Sequence, residues 1–133
     1  MVYKHIVMWK FKEQHNGKSA LENARWMKEQ LEALVGVVPE LLSAEVGISP
    51  ALEQATGAPA LVATQSNAAA APSNAAAVPA PAASGEYDAC LVSTFASPEA
   101  LAAYKVHPKH KAISAYCKEA RLKRLAFDWW SEE

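Results

Sequence analysis

Neither sign of charge dominates this chain: 13 Lys and Arg against 14 Asp and Glu leave a net charge of −1, so total charge offers no field for a nucleic acid or an anionic membrane surface. Cysteine is scarce. Two, Cys90 and Cys117, are too few for a disulfide scaffold and lack the close spacing of a zinc or redox pair. They read as free, packed thiols in a reducing compartment. No apolar run is long enough to cross a bilayer, and the N-terminus enters strand-like alternation carrying Lys4 and His5 instead of a signal peptide. The expectation is a cytoplasmic protein with no nucleic-acid and no membrane partner. Apolar side chains are plentiful, at 51% of 133 residues, which suffices for one domain around one core. Positive charge does crowd locally. Lys105, Lys109, Lys111, Lys118, Arg121, Lys123 and Arg124 fall in the last third, opposed there mainly by Glu119, and read as a solvated helix face.

Residues 2 to 12 alternate as a strand, with Tyr3, His5, Val7, Trp9 and Phe11 on one face and Val2, Lys4, Ile6, Met8 and Lys10 on the other. After a polar turn at His15 to Lys18, Ser19 and Glu22 have capping-box spacing. The helix they open carries Ala20, Ala24, Met27, Leu31 and Leu34 as its docking stripe and is expected to end at Gly36. Trp26 lies off that stripe and reads as ordinary packing. A second strand follows Pro39, with Leu42, Ala44, Val46 and Ile48 on one face. A third is expected over Glu86 to Ala96. Ser97-Pro98-Glu99 then supplies an N-cap, a first-turn proline and an early carboxylate for a short helix ending at Tyr104. Another helix runs to about Glu119, and a last strand covers Leu122 to Trp130 with apolar bulk on both sides.

Between 50 and 84 alanine and proline dominate and Glu53 is the one charged residue, which marks a low-complexity insertion within a single domain spanning 1–133. Helical turns at 51–56 or 68–71 are the most it is expected to form. The element order is strand, helix, strand, strand, helices, strand. That is the ferredoxin-like α+β order, a four-stranded antiparallel sheet with helices on one face. The other sheet face is apolar with no helix left to cover it, so a second copy is the expected cover and the partner is the protein itself.

Tyr104-Lys105-Val106-His107-Pro108-Lys109-His110-Lys111 is the stretch that carries chemistry. Pro108 suits the first turn of a helix, His107 then caps it, and His110 falls in the first turn, where free amides and the dipole disfavour an imidazolium. A neutral imidazole is what a general base must be. This stretch, with residues 2–12, Ser97 to Leu101 and Phe127-Asp128-Trp129, resembles the stress-responsive A/B barrel (Dabb) family. The resemblance covers nearly everything except residues 50 to 84. It implies a homodimer whose two sheets pack into a dimeric α+β barrel. The family includes a plant olivetolic acid cyclase, and by that resemblance His110 is the base removing a proton beside a carbonyl, Tyr104 holds the carbonyl oxygen, and His5 matches a further pocket histidine. Ala89 stands where the cyclase has another histidine, and Met27 and Leu31 stand where it has aromatic residues, so a different ligand is implied.

A pocket between helices and sheet would gather His5, Val7, Trp9, Leu31, Leu91 and Ile113 around Tyr104 and His110. That lining suits a small apolar carbonyl or aromatic compound. Any enzyme here is expected to be a cofactor-independent cyclase- or lyase-like acid–base catalyst. No metal is expected, because His107 and His110 lack a nearby carboxylate or thiol to complete a set. A non-catalytic stress-protective dimer and a monooxygenase of the dimeric α+β barrel type are the rival readings. RNA binding is disfavoured because Tyr87 to Val92 lacks the glycine-aromatic run of an RNA-recognition motif.

Overall fold

The structure, a computed structural model, describes residues 1–55 and 86–132. The first strand, β1 (Val2–Phe11), buries His5, Val7, Trp9 and Phe11 at every second position, as its alternation demands. The polar turn that follows is a tight hairpin between β2 (Gln14–His15) and β3 (Lys18–Ser19), with Asn16 and Gly17 at φ 58° and 76°. Two positive φ values in succession suit Asn-Gly. Helix α1 (Ala20–Glu32) opens with the full capping box, Ser19 accepting from the Glu22 amide and the Glu22 carboxylate accepting from the Ser19 amide.

That helix ends four residues before Gly36, at Glu32. Beyond it the amides of Leu34 and Val35 bond three residues back, a tighter winding, before Gly36 turns the chain at φ 90°. Leu34 is buried all the same. Strand β4 (Ser43–Ile48) excludes Leu42, which is exposed instead of facing inward. On the outer edge of β4, Glu32 accepts from the Val46 amide and Lys28 donates to the Val46 carbonyl. The first residues of the expected insertion form a helix, α2 (Pro50–Ala55), with Leu52 packed against the core. Residues 56–85 lie outside the described residues, and with them the helical turn expected at 68–71.

Strand β5 (Ala89–Phe95) starts three residues later than Glu86, because Asp88 does other work. Its backbone bridges Trp9 and Ser49, and its buried carboxylate accepts from the Phe11 amide at 2.9 Å and the Lys10 ammonium at 3.2 Å. Ser97 then caps α3 (Pro98–Val106), which continues two residues past Tyr104; His107 caps α4 (Pro108–Ala120); and β6 (Arg121–Ser131) closes the fold.

The sheet order is β4-β5-β1-β6 with all pairs antiparallel, and α1, α3 and α4 cover one face. This is the ferredoxin-like α+β arrangement. Register sets Ile6 against Phe127 and Val92, and Met8 against Leu125, so all five share the opposite face. Phe127 is 63% exposed there and Leu125 51%. Among the described residues no helix is long and apolar enough to cross a membrane.

Asp88 holds the end of β1 to the start of β5 without any alternation signal to reveal it. Asp88→Ala should cost about 1–3 kcal/mol by orphaning the Phe11 amide, read as a lower urea midpoint at unchanged slope.

Candidate functional site

A cavity of about 220 Å³ opens between the helices and the sheet. Its apolar wall is Val7 and Trp9 from β1, Met27 and Leu31 from α1, Leu91 from β5 and Ile113 from α4. Polar groups reach it from three sides: His5 on β1, His110 and Ser114 on α4, and Lys105, Arg121 and Arg124 around them. Of the residues expected to meet here, His5, Val7, Trp9, Leu31, Leu91, His110 and Ile113 all line it. Tyr104 does not. It is 0% exposed and lies behind His110, ring centroids 4.3 Å apart, with Phe95 at 5.1 Å on another side. Its hydroxyl makes no hydrogen bond to the described protein, and burial pushes its pKa up. The residue is therefore a proton donor without an acceptor.

His110 is the third residue of α4, and its ring turns back over the α3–α4 corner so that Nδ1 lies 3.2 Å from the Lys105 carbonyl. A carbonyl only accepts, so Nδ1 carries the proton and a neutral ring keeps its lone pair on Nε2. Burial lowers the His110 pKa, against the raising effect of that carbonyl, and His5, Lys105 and Arg124 lower it further by repulsion. His107 is the cap, its Nδ1 accepting from the Lys109 amide at 3.1 Å. His107 and His110 thus have opposite tautomers fixed by neighbouring backbone.

The other imidazole at the cavity has a partner that alternation alone did not assign. His5 and Asp128 are opposite one another in the β1–β6 register, and His5 Nδ1 lies 2.6 Å from an Asp128 carboxylate oxygen. The carboxylate fixes the Nδ1 proton and again leaves Nε2 as the acceptor. Burial, with repulsion from Lys105 and Arg124, lowers the His5 pKa against the raising effect of Asp128.

The basic residues of the last third do not form one solvated helix face. Lys105, Arg121 and Arg124 turn to the cavity while Lys123, one residue from Arg124, pairs with Glu86 at 2.7 Å on the other side of β6. Once β6 is paired with β1, parity puts Arg124, four residues from Asp128, on its face and Lys123 on the other, while Arg121, seven residues away, comes to the cavity side through the register shift opposite Lys10 and Phe11. Cys117 also touches the cavity, but burial pushes its thiol up to about 11, which keeps it protonated and unreactive. Among the described residues no group of three or more His, Cys, Asp or Glu could hold a metal ion. Trp26 packs at a tilt against Tyr116, ring centroids 4.7 Å apart, and is not part of the cavity lining.

The sequence model described as Stress Responsive A/B Barrel Domain matches residues 3–69 and 74–131. Among curated proteins none matches the chain. Solved structures do. A dimeric protein of unknown function with a ferredoxin-like fold from Bacteroides fragilis superposes with a TM-score of 0.67 at 20% identity, covering 98% of this chain and 96% of that one. A hydroxynitrile lyase from Passiflora edulis gives 0.61 at 16% identity, over 99% and 95% of the two chains. A Dabb family protein with a ferredoxin-like fold from Mesorhizobium loti gives 0.58 at 13%, over 99% and 98%. Likeness at these identities establishes the shared fold.

Both cavity histidines have pKa values below the ordinary 6.5. As pH falls below that value the unfolded chain binds more protons than the folded one, so their contribution is full above it and lost toward the lowered native values. Cooling of the thermal midpoint is expected between about pH 7.5 and about pH 5.5, and His110→Asn should shrink that drop. An equal drop in both proteins would remove His110 from the account.

Proposed function

The chain belongs to the stress responsive A/B barrel domain family, and we propose that it acts as a cytoplasmic homodimer whose protomers each bind a small apolar carbonyl or aromatic compound and move a proton on it without a cofactor. The observation that carries this is His110: a neutral imidazole with its tautomer fixed by the Lys105 carbonyl, on the wall of a largely apolar cavity. In this reading Nε2 takes a proton from the carbon beside the carbonyl, and the electron pair of that C–H bond moves onto the carbonyl oxygen. Tyr104, a buried O–H with no acceptor among the described residues, stands behind the His110 ring and off the cavity wall, so in this reading that ring swings aside before the hydroxyl donates to that oxygen. His5, its Nδ1 proton committed to Asp128, offers its other nitrogen to a ligand hydroxyl. In the same reading the chain is a single domain that residues 50–84 interrupt.

Homodimerisation draws support from the exposed apolar face around Phe127 and Leu125 and from structural neighbours described as dimeric. Covering one large apolar side chain there is worth about 1.5–3 kcal/mol. The burial of Tyr104 favours a second reading, in which it is plain core and the dimer does no chemistry.

Three measurements separate the two. Exchange of the protons beside the carbonyl of 4-phenylbutan-2-one in D2O, followed by NMR, should be accelerated by the protein. His110→Ala should lower that rate by roughly a hundredfold or more. Tyr104→Phe should lower it too while leaving stability equal or about 1 kcal/mol higher, since it deletes an unpaired buried hydroxyl. Ligand affinity and exchange indifferent to both substitutions would hand the case to the structural reading. Phe127→Asp should give a folded monomer by sedimentation.

A further inference from the structure

Resting on that assignment of the cavity as a ligand site, we propose that its ligand carries a carboxylate, gripped at the rim by Arg121 and Arg124, with the apolar body lying on Val7, Trp9, Leu31 and Leu91. The residues touching the cavity include three permanent cations, Lys105, Arg121 and Arg124, and no carboxylate. In a chain of net charge −1 that imbalance is a property of the place, not of the composition.

Lack of an ion pair is shared with exposed lysines such as Lys109 and Lys118; what sets Arg121 and Arg124 apart is that they touch the cavity. Among the described residues Lys10, Arg25, Lys28 and Lys123 each meet a carboxylate, whereas neither Arg121 nor Arg124 is in an ion pair. Lys123 and Arg124 are neighbours on one strand. The first faces away from the cavity and is paired with Glu86; the second is held opposite Trp9 by the β1–β6 register, on the cavity side, and is unpaired. Asp128, the acid on that same face of β6, is occupied by His5. Like charges gathered without a counter-ion destabilise one another, and the repulsion of Lys105 and Arg124 reaches both histidines. An anionic head group in the cavity relieves this. The planar guanidinium fork suits a carboxylate, which it takes in two parallel hydrogen bonds. The apolar wall rejects a ligand that is charged throughout. At about 220 Å³ the cavity lies below the usual ~300–1,000 Å³ of drug-sized sites, so the acid is compact.

The test compares three compounds of one shape, 3-phenylpropanoate, 3-phenylpropanamide and 4-phenylbutan-2-one, by quenching of tryptophan fluorescence and by the His110 ring signals in NMR. The full chain should bind the carboxylate about tenfold or more tighter than the amide, a difference that shrinks with added salt. Arg121→Leu/Arg124→Leu should abolish the preference, lowering carboxylate affinity at least about tenfold more than amide or ketone affinity. Arg121→Lys/Arg124→Lys, which keeps the charge and guards against a folding defect in the first variant, should retain most of it. Equal or weaker binding of the carboxylate by the unaltered chain overturns the proposal, as does a preference that survives the double leucine substitution. Ketone binding and exchange without carboxylate preference would sink the carboxylate assignment and leave the proton-transfer reading standing. Arginine-dependent carboxylate binding with no ketone exchange would do the reverse. Failure of all three compounds to bind would end both.

Discussion

The register of β1 with its two neighbours is the constraint on which everything else rests. β1 is the inner strand that meets β5 on one side and β6 on the other, and its alternation sends His5, Val7, Trp9 and Phe11 toward the helices. A slip of one residue would turn that whole set onto the other face. The same slip would part His5 from Asp128 and carry Arg124 away from the cavity. Core and candidate site are therefore specified by one set of backbone hydrogen bonds. The Asp88 carboxylate fastens the far end of β1, and Lys12 donates from its amide to the Ala120 carbonyl just before β6 begins.

Burial is the largest influence on both cavity imidazoles. Both imidazoles are kept toward the neutral form, and each has its Nδ1 proton assigned by a protein oxygen, the Lys105 carbonyl for His110 and the Asp128 carboxylate for His5. What remains inside is a pair of acceptor nitrogens beside unpaired guanidinium groups. The thiol of Cys117 contributes surface and no reactivity.

Much of this was legible in the sequence because period and punctuation agree in it. The two-residue period of β1, the Ser19–Glu22 box, Ser97-Pro98 and His107-Pro108 each name a local structure, and together they give the element order and hence the sheet. The apolar wall followed, since it is the core face seen from inside. Tyr104 was harder. Its place in a motif says that it is near His110, not which side of His110 it occupies, and that depends on how α3 packs over Phe95. Asp128, Arg121 and Arg124 needed the pairing of β6 with β1, a long-range fact that no local pattern contains. Asp88 broke the strand pattern because its side chain bonds backbone that belongs to another strand.

The contacts of Lys28 and Glu32 with Val46 reach beyond α1 and β4. The two side chains fill the outward amide and carbonyl in the middle of the edge strand, the groups through which an added strand would attach. Lateral growth of the sheet is thereby blocked on that side. The large unoccupied apolar surface lies instead on a face, and a face that meets its own copy is used up in the meeting. Of the sheet's two edges, β4 and β6, it is β4 that is closed in this way to the filaments an open edge would seed.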